Sequence, residues 1–134
     1  MKRLLCLTIV VCLWTTPARA YVDGSPTLGQ VIRDATNIVV MEVTRINKDK
    51  NLLIFKKVAD LKGNYPKNEI KHNIGKKGFH EREWKAVMDW AEIGKKAVFM
   101  LKEGSSETCI GGYWYQCYQE GEWFGMMNVS TLAV

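Results

Sequence analysis

Short runs of β-branched and aromatic residues, each ended by a polar turn, constrain this chain more than any other feature. Ile38 to Ile46 is rich in Ile, Val and Thr and reads as a strand. Asn47 to Asn51 is a polar turn and Leu52 to Val58 a second run, so the two make a hairpin. Leu61 to Pro66 breaks the chain again. Glu69 to Ile74 follows as a short strand, with Ile70 and His72 on one face and Lys71 and Asn73 on the other. Further strands are expected at Lys96 to Leu101, Thr108 to Tyr118 and Trp123 to Met127. Glu103 to Glu107 reads as a loop and Glu120-Gly121 as a tight turn.

Two stretches carry a helical period instead. Thr27 can cap a short helix whose apolar face is Leu28, Val31, Ile32 and Ala35. Glu81 to Ala91 places Trp84, Val87, Met88 and Ala91 on one stripe, and Gly94 ends it. The expected fold is therefore mainly β with two short helices (α+β). Five or six short strands joined by turns close best as a small antiparallel OB-like barrel or sandwich. A helix between the third strand and the Lys96 strand suits a five-stranded OB-type barrel.

The first twenty residues bear on compartment. Met1-Lys2-Arg3 is basic, Leu4 to Trp14 is almost unbroken apolar, and Ala18-Arg19-Ala20 is a small-x-small cleavage pattern. That order reads as a secretory signal peptide over 1–20, cut after Ala20. A bilayer span needs roughly 20 apolar residues, more than this run supplies. The expected product is a secreted or periplasmic single β-rich domain, 21–134, with no stable membrane span after cleavage. It ends at Val134 without a polar tail, which fits a terminal strand or a chain cut off before its next element.

Charge narrows the partners. Lys2, Arg3 and Arg19 leave with the signal, so 16 basic residues face 14 acidic ones, a net of +2. Nucleic-acid binding calls for a larger excess or a basic stripe, so none is expected.

Groups able to do chemistry occur singly. Cys109 and Cys117 are the only cysteines of the mature chain, and an oxidising compartment makes a disulfide the first expectation. Along a straight strand they would lie roughly 26 Å apart, whereas a bridge needs Cα atoms about 5.5 Å apart. Bridging them requires the chain to reverse, and Gly111-Gly112 is the place for it. Two free thiols are the alternative. His72 and His80 are the only histidines; a zinc site would need Glu81, Glu83 or Cys109 to complete it, and no metal-ligand spacing is present. No serine-hydrolase elbow, redox Cys pair, haem attachment or phosphate loop occurs, so no catalytic set and no cofactor is expected. Glu103, Glu107, Glu120 and Glu122 lie near aromatics and leave a carboxylate-based hydrolase as an alternative.

Tyr113, Trp114, Tyr115, Tyr118, Trp123 and Phe124 crowd into twelve positions. On a strand, Tyr113 and Tyr115 share a face and Trp114 takes the other. One face enters the core; an exposed one would suit a sugar or a protein partner. Tyr113, Tyr115 and Trp123 are the expected binding residues.

Val58 to Gly63, Ile70 to Gly75, Gly78 to Trp84, Trp90 to Phe99 and Ser106 to Tyr115 resemble a family of exported proteins from planctomycete-type bacteria. The resemblance covers most of 27–127. It implies export and an N-terminal module, and brings no activity or catalytic residue. More distantly, the hairpin from Ile38 to Val58, the Leu61-Lys62-Gly63 turn and the late strand Ala97 to Leu101 are similar to netrin-like domains, the tissue-inhibitor-of-metalloproteinase type of OB barrel. Those inhibitors begin the mature chain with Cys-x-Cys, where this one begins Tyr21-Val22-Asp23, so only the barrel carries over. The expectation for function is an exported, non-enzymatic module binding a protein or glycan of the cell envelope. The alternative is a small hydrolase, metal-dependent through His72 and His80 or carboxylate-based.

Overall fold

The computed structural model describes residues 24–75 and 81–129. The expected signal peptide, His80 and the last five residues lie outside them. A short helix, α1 (Leu28–Asp34), comes first. Its start is a complete capping box: Thr27 Oγ1 accepts from the Gln30 amide at 3.2 Å, and Gln30 Oε1 accepts from the Thr27 amide at 2.8 Å. Strands β1 (Asn37–Asn47), β2 (Leu52–Lys62) and β3 (Glu69–Asn73) follow, then helix α2 (Glu81–Trp90). The last four strands are β4 (Lys96–Lys102), β5 (Ser105–Ile110), β6 (Tyr113–Glu120) and β7 (Trp123–Val129).

The seven strands form one closed barrel in the order β1-β2-β3-β7-β6-β5-β4, consistent with a small OB-like barrel. Three features correct the sequence reading. Glu103 to Glu107 is not all loop: Glu103 and Gly104 take φ of +48° and +77°, a two-residue turn of the kind that joins hairpin strands. Ser105, Ser106 and Glu107 then pair with Lys102, Leu101 and Met100. The run from Thr108 to Tyr118 is two strands, because Gly111 and Gly112 (φ +60° and +82°) reverse it. Finally, the barrel is not wholly antiparallel: β3 and β7 run parallel. Parity requires this. Going once round a closed ring, strand direction must return to its start, so antiparallel pairings come in even number. With seven pairings, at least one is parallel.

Alternation fills the interior. Val39, Met41 and Val43 of β1, Leu53 and Phe55 of β2, Ile70 of β3 and Phe99 of β4 point inward and are buried. Phe55 and Phe99 meet edge to face at 5.3 Å. Register shifts at three places along the β1–β2 pair coil those long strands, as closure demands. Helix α2 adds Val87 and Met88 to this core, and Ala91, just after the helix, adds a third residue, with Trp84 and Trp90 packed against it. A second, smaller cluster lies outside the barrel wall, where Leu28 and Val31 of α1 cover Ala35, Ile38, Met100, Val98 and Trp114.

The β5–β6 turn touches α2. A Cβ on Gly111 would lie 3.0 Å from the Trp90 ring, whereas one on Gly121, at nearly the same φ of +61°, would meet nothing within 4 Å. A side chain held at positive φ costs about 1–2 kcal/mol. In urea unfolding, Gly121→Ala should lose about that much and Gly111→Ala about 1 kcal/mol more, since Trp90 must also move. Equal losses would contradict the contact.

Candidate binding groove and buried histidine–cysteine pair

The three aromatic residues singled out from the sequence do not form one surface. Tyr115 is 2% exposed and belongs to the core. Tyr113, at the start of β6, is 56% exposed, with its ring 6.3 Å from that of Tyr115. Trp123 pairs with Glu120 at the other end of β6, about 23 Å from Tyr113 along the strand. Trp123 lines a groove.

That groove is built by cross-strand register. Arg45 pairs with Ile54, Ile54 with Lys71, and Lys71 with Trp123. Their inward neighbours Leu53, Phe55, Ile70, His72 and Phe124 are buried, so period-two alternation sets this row on the outer wall. Ile46, Leu52 and Ile93 join Ile54 and Trp123 as its apolar lining, with Thr44, Arg45 and Asn47 as polar members, around a volume of about 460 Å³. Such a size and mixture suit a ligand site. Ile93, just after α2, is 65% exposed. The charges around the groove are paired. Lys71 Nζ donates to Glu122 Oε2 at 2.8 Å and sits 6.0 Å over the Trp123 ring; Arg45 lies 3.6 Å from Glu69. The hydrogen bond with Glu122 raises the Lys71 ammonium pKa, and the same bond lowers that of the Glu122 carboxyl.

Behind this wall, inside the barrel, lies a polar pair. His72 and Cys117 are fully buried. His72 Nδ1 is 3.0 Å from the Phe124 carbonyl oxygen, and Nε2 is 3.3 Å from Cys117 Sγ. A carbonyl can only accept, so Nδ1 carries the proton and Nε2 is bare. The Cys117 thiol therefore donates to Nε2. Thr108 hydrogen-bonds the sulfur, and the Ser106 hydroxyl stands 2.8 Å from that of Thr108. The chain of contacts links β5, β6, β3 and β7.

A histidine beside a cysteine invites comparison with a nucleophilic dyad, but the electrostatics oppose it. Burial lowers the imidazole pKa to about 4, against a smaller upward pull from the Phe124 carbonyl. Burial pushes the thiol up to about 12. Both shifts favour the neutral pair over thiolate and imidazolium, so the site holds no activated nucleophile. Its chemistry is that of a satisfied polar core.

The expected Cys109–Cys117 disulfide is corrected here: both thiols are free. The chain does reverse at Gly111-Gly112, but Cys109 pairs with Trp114, and Cys117 with Ser106. Thr108 and Ile110 point inward, so Cys109 points out, while Cys117 points in. Two cysteines on opposite faces of a sheet cannot meet the bridge geometry. Burial raises the Cys109 thiol as well. Among the described residues, no three His, Cys, Asp or Glu side chains converge as metal ligands. No helix of the described residues is long and apolar enough to cross a membrane.

Comparison with models of known protein families, with curated proteins and with solved structures finds no match. The groove and the buried pair therefore stand on their own geometry. Sequence reasoning singled out Trp123 but missed Arg45, Lys71 and Ile93, which only the barrel's register brings beside it. His72 and Cys117 were each visible; the signal for their burial was the shared face of Ile70 and His72.

Iodoacetamide labelling checks the thiols. In the native, unreduced protein Cys117 should stay unlabelled and half-buried Cys109 react slowly; in denaturant both should react. No label on either after denaturation would show a disulfide and contradict the facing assigned to β5 and β6.

Proposed function

We propose that this chain is an exported, non-enzymatic binding module, acting on a protein or glycan of the cell envelope through the groove around Trp123. The observation that carries the reading is the groove itself. An indole, three isoleucines and a leucine line one concavity on the outer wall, ringed by paired charges. Tryptophan in an apolar patch, with arginine at its edge, is what a recognition surface uses. The signal-peptide pattern and the resemblance to exported bacterial proteins support the compartment. The buried, neutral state of His72 and Cys117 favours binding over hydrolysis, because it leaves the most conspicuous reactive pair without a reacting form.

Capture of envelope proteins and glycans by immobilised variants tests this. Ile93→Glu, at a largely exposed position, should stay within about 0.5 kcal/mol of wild-type stability. It should lose at least tenfold in capture, as should Trp123→Ala. Tyr113→Ala should capture normally. Tyr115→Ala should lose about 3–5 kcal/mol of stability, the cost of emptying a core aromatic site. Capture unaffected by both Trp123→Ala and Ile93→Glu would overturn the assignment of the groove.

A further inference from the structure

The inner pair and the outer groove share one seam. Where β3 meets β7 only three positions pair: Lys71 with Trp123, His72 with Phe124, and Asn73 with Gly125. Every other pairing in the barrel is longer; β1 and β2 match at nine positions. Lys71 and Trp123 face out into the groove region. Their chain neighbours His72 and Phe124 face in, joined by the imidazole-to-carbonyl hydrogen bond. The same few residues thus hold the barrel shut and shape the groove.

We infer that this seam is an acid-operated gate: a proton from solvent taken up by His72 displaces the hydrogen bond from the Cys117 thiol and leaves a charge inside the apolar barrel, which is relieved when the short β3–β7 pairing parts and dismantles the groove at Trp123. The inference rests on the groove reading above for its consequence on binding, but not for the opening itself. The chemistry is local. Neutral His72 donates from Nδ1 and accepts at Nε2 from the Cys117 thiol. A proton on Nε2 displaces the thiol hydrogen, so the sulfur can only accept, weakly, while Nδ1 keeps its bond to the Phe124 carbonyl; what opposes the closed form is the charge itself, desolvated inside the barrel. Among the described residues the new charge meets no counter-ion. Phe55 of β2 and Phe99 of β4 lie 6.5 and 6.2 Å from the imidazole. From β6 it faces the thiol of Cys117 and from β7 a carbonyl. Core residues of β1 and α2, Met41, Val43, Val87 and Met88, are apolar. Behind Cys117, β5 offers the hydroxyls of Ser106 and Thr108; burial keeps the sulfur protonated, and the Glu107 carboxylate adds a smaller push in the same direction. Tyr65, also in the core, is held neutral by burial. Lys71, Glu69, Glu122 and Arg45 belong to the outer wall. No carboxylate contributes to the ionisation of His72.

The sign follows from linkage. An opened His72 has an ordinary imidazole pKa near 6.5, and the closed one about 4. Between those values the open form binds one more proton than the closed form, so opening grows as pH falls through that window. It levels off below about pH 4. From about pH 7 to about pH 4.5 the opening constant should rise on the order of 50-fold.

Amide hydrogen exchange on the whole chain, corrected for the intrinsic effect of pH, reads this directly. Seam amides of residues 71–73 and 123–125 should show that rise in wild type. In His72→Gln, which keeps a donor and an acceptor but does not titrate here, they should change less than about threefold. The nuclear Overhauser effect between the Lys71 methylenes and the Trp123 indole should fade over the same pH range in wild type. A flat wild-type profile overturns the gate. So does an equal rise in both proteins, or an equal rise across β1 and β2, which would mean that the whole barrel unfolds. Should His72→Gln not fold, the wild-type imidazole decides: above about pH 5 its carbon signals must show imidazolium only in the opened population, and imidazolium in the closed barrel in that range overturns the inference. None of these readouts needs a ligand. A gate that operates while Trp123→Ala and Ile93→Glu both capture normally refutes the groove and leaves the gate standing.

Discussion

An odd ring of strands cannot close with antiparallel pairs alone, and everything particular to this protein depends on how that constraint is met. The one parallel pairing, β3 with β7, is short. It joins strands that are distant in sequence, so no hairpin turn holds them together. His72 compensates from inside. Its ring donates across the seam to the Phe124 carbonyl and takes the Cys117 thiol from β6 on its other nitrogen. One side chain thereby links three strands. A buried polar network of this kind defines a single arrangement only when every member is satisfied, and here each ring nitrogen has a partner. An aliphatic residue at position 72 would fill the space without tying the strands.

The same constraint explains the outer wall. Trp123 and Lys71 lie side by side because the parallel register sets them there, and Arg45 and Ile54 extend the row across β1 and β2. The lysine's ammonium is shared between Glu122 and the indole face. These exposed pairs contribute little stability in water. Their effect is to hold the ring of charge near neutrality around an apolar floor. Binding there would draw on the fit of apolar groups rather than on attraction to a strongly charged ligand.

Much of the fold was legible because it is local. Thr27 and the spacing of Leu28 and Val31 specify α1. The β-branched run from Ile38 and the polar turn at Asn47 specify the first hairpin, and the stripe from Trp84 to Ala91 specifies α2. What escaped notice needed information that no local window holds. The turn at Glu103-Gly104 puts a glutamate at positive φ, a conformation its residue type does not advertise. Cys109 and Cys117 looked ready to bridge because the intervening glycines do reverse the chain; the parity of the two strands then turns them to opposite faces. Trp123 could be singled out by type, but its neighbours come from three other strands and depend on a register that includes bulges. Tyr115 carried the same surface signal as Trp123 and lies in the core, since alternation says which residues share a face and not which face is inside.

The closed seam depends most directly on the protonation state of one ring. Long-range nitrogen–carbon correlation spectra of the native, ¹⁵N-labelled protein near neutral pH distinguish the two imidazole tautomers and imidazolium. The structure requires the His72 signal to be that of a neutral ring protonated at Nδ1, with Nε2 bare and hydrogen-bonded to a thiol. A ring protonated only at Nε2 would mean that the Phe124 carbonyl takes no hydrogen bond from His72, and an imidazolium that the Cys117 thiol does not donate to it; either would mean that the seam is not held closed in this way.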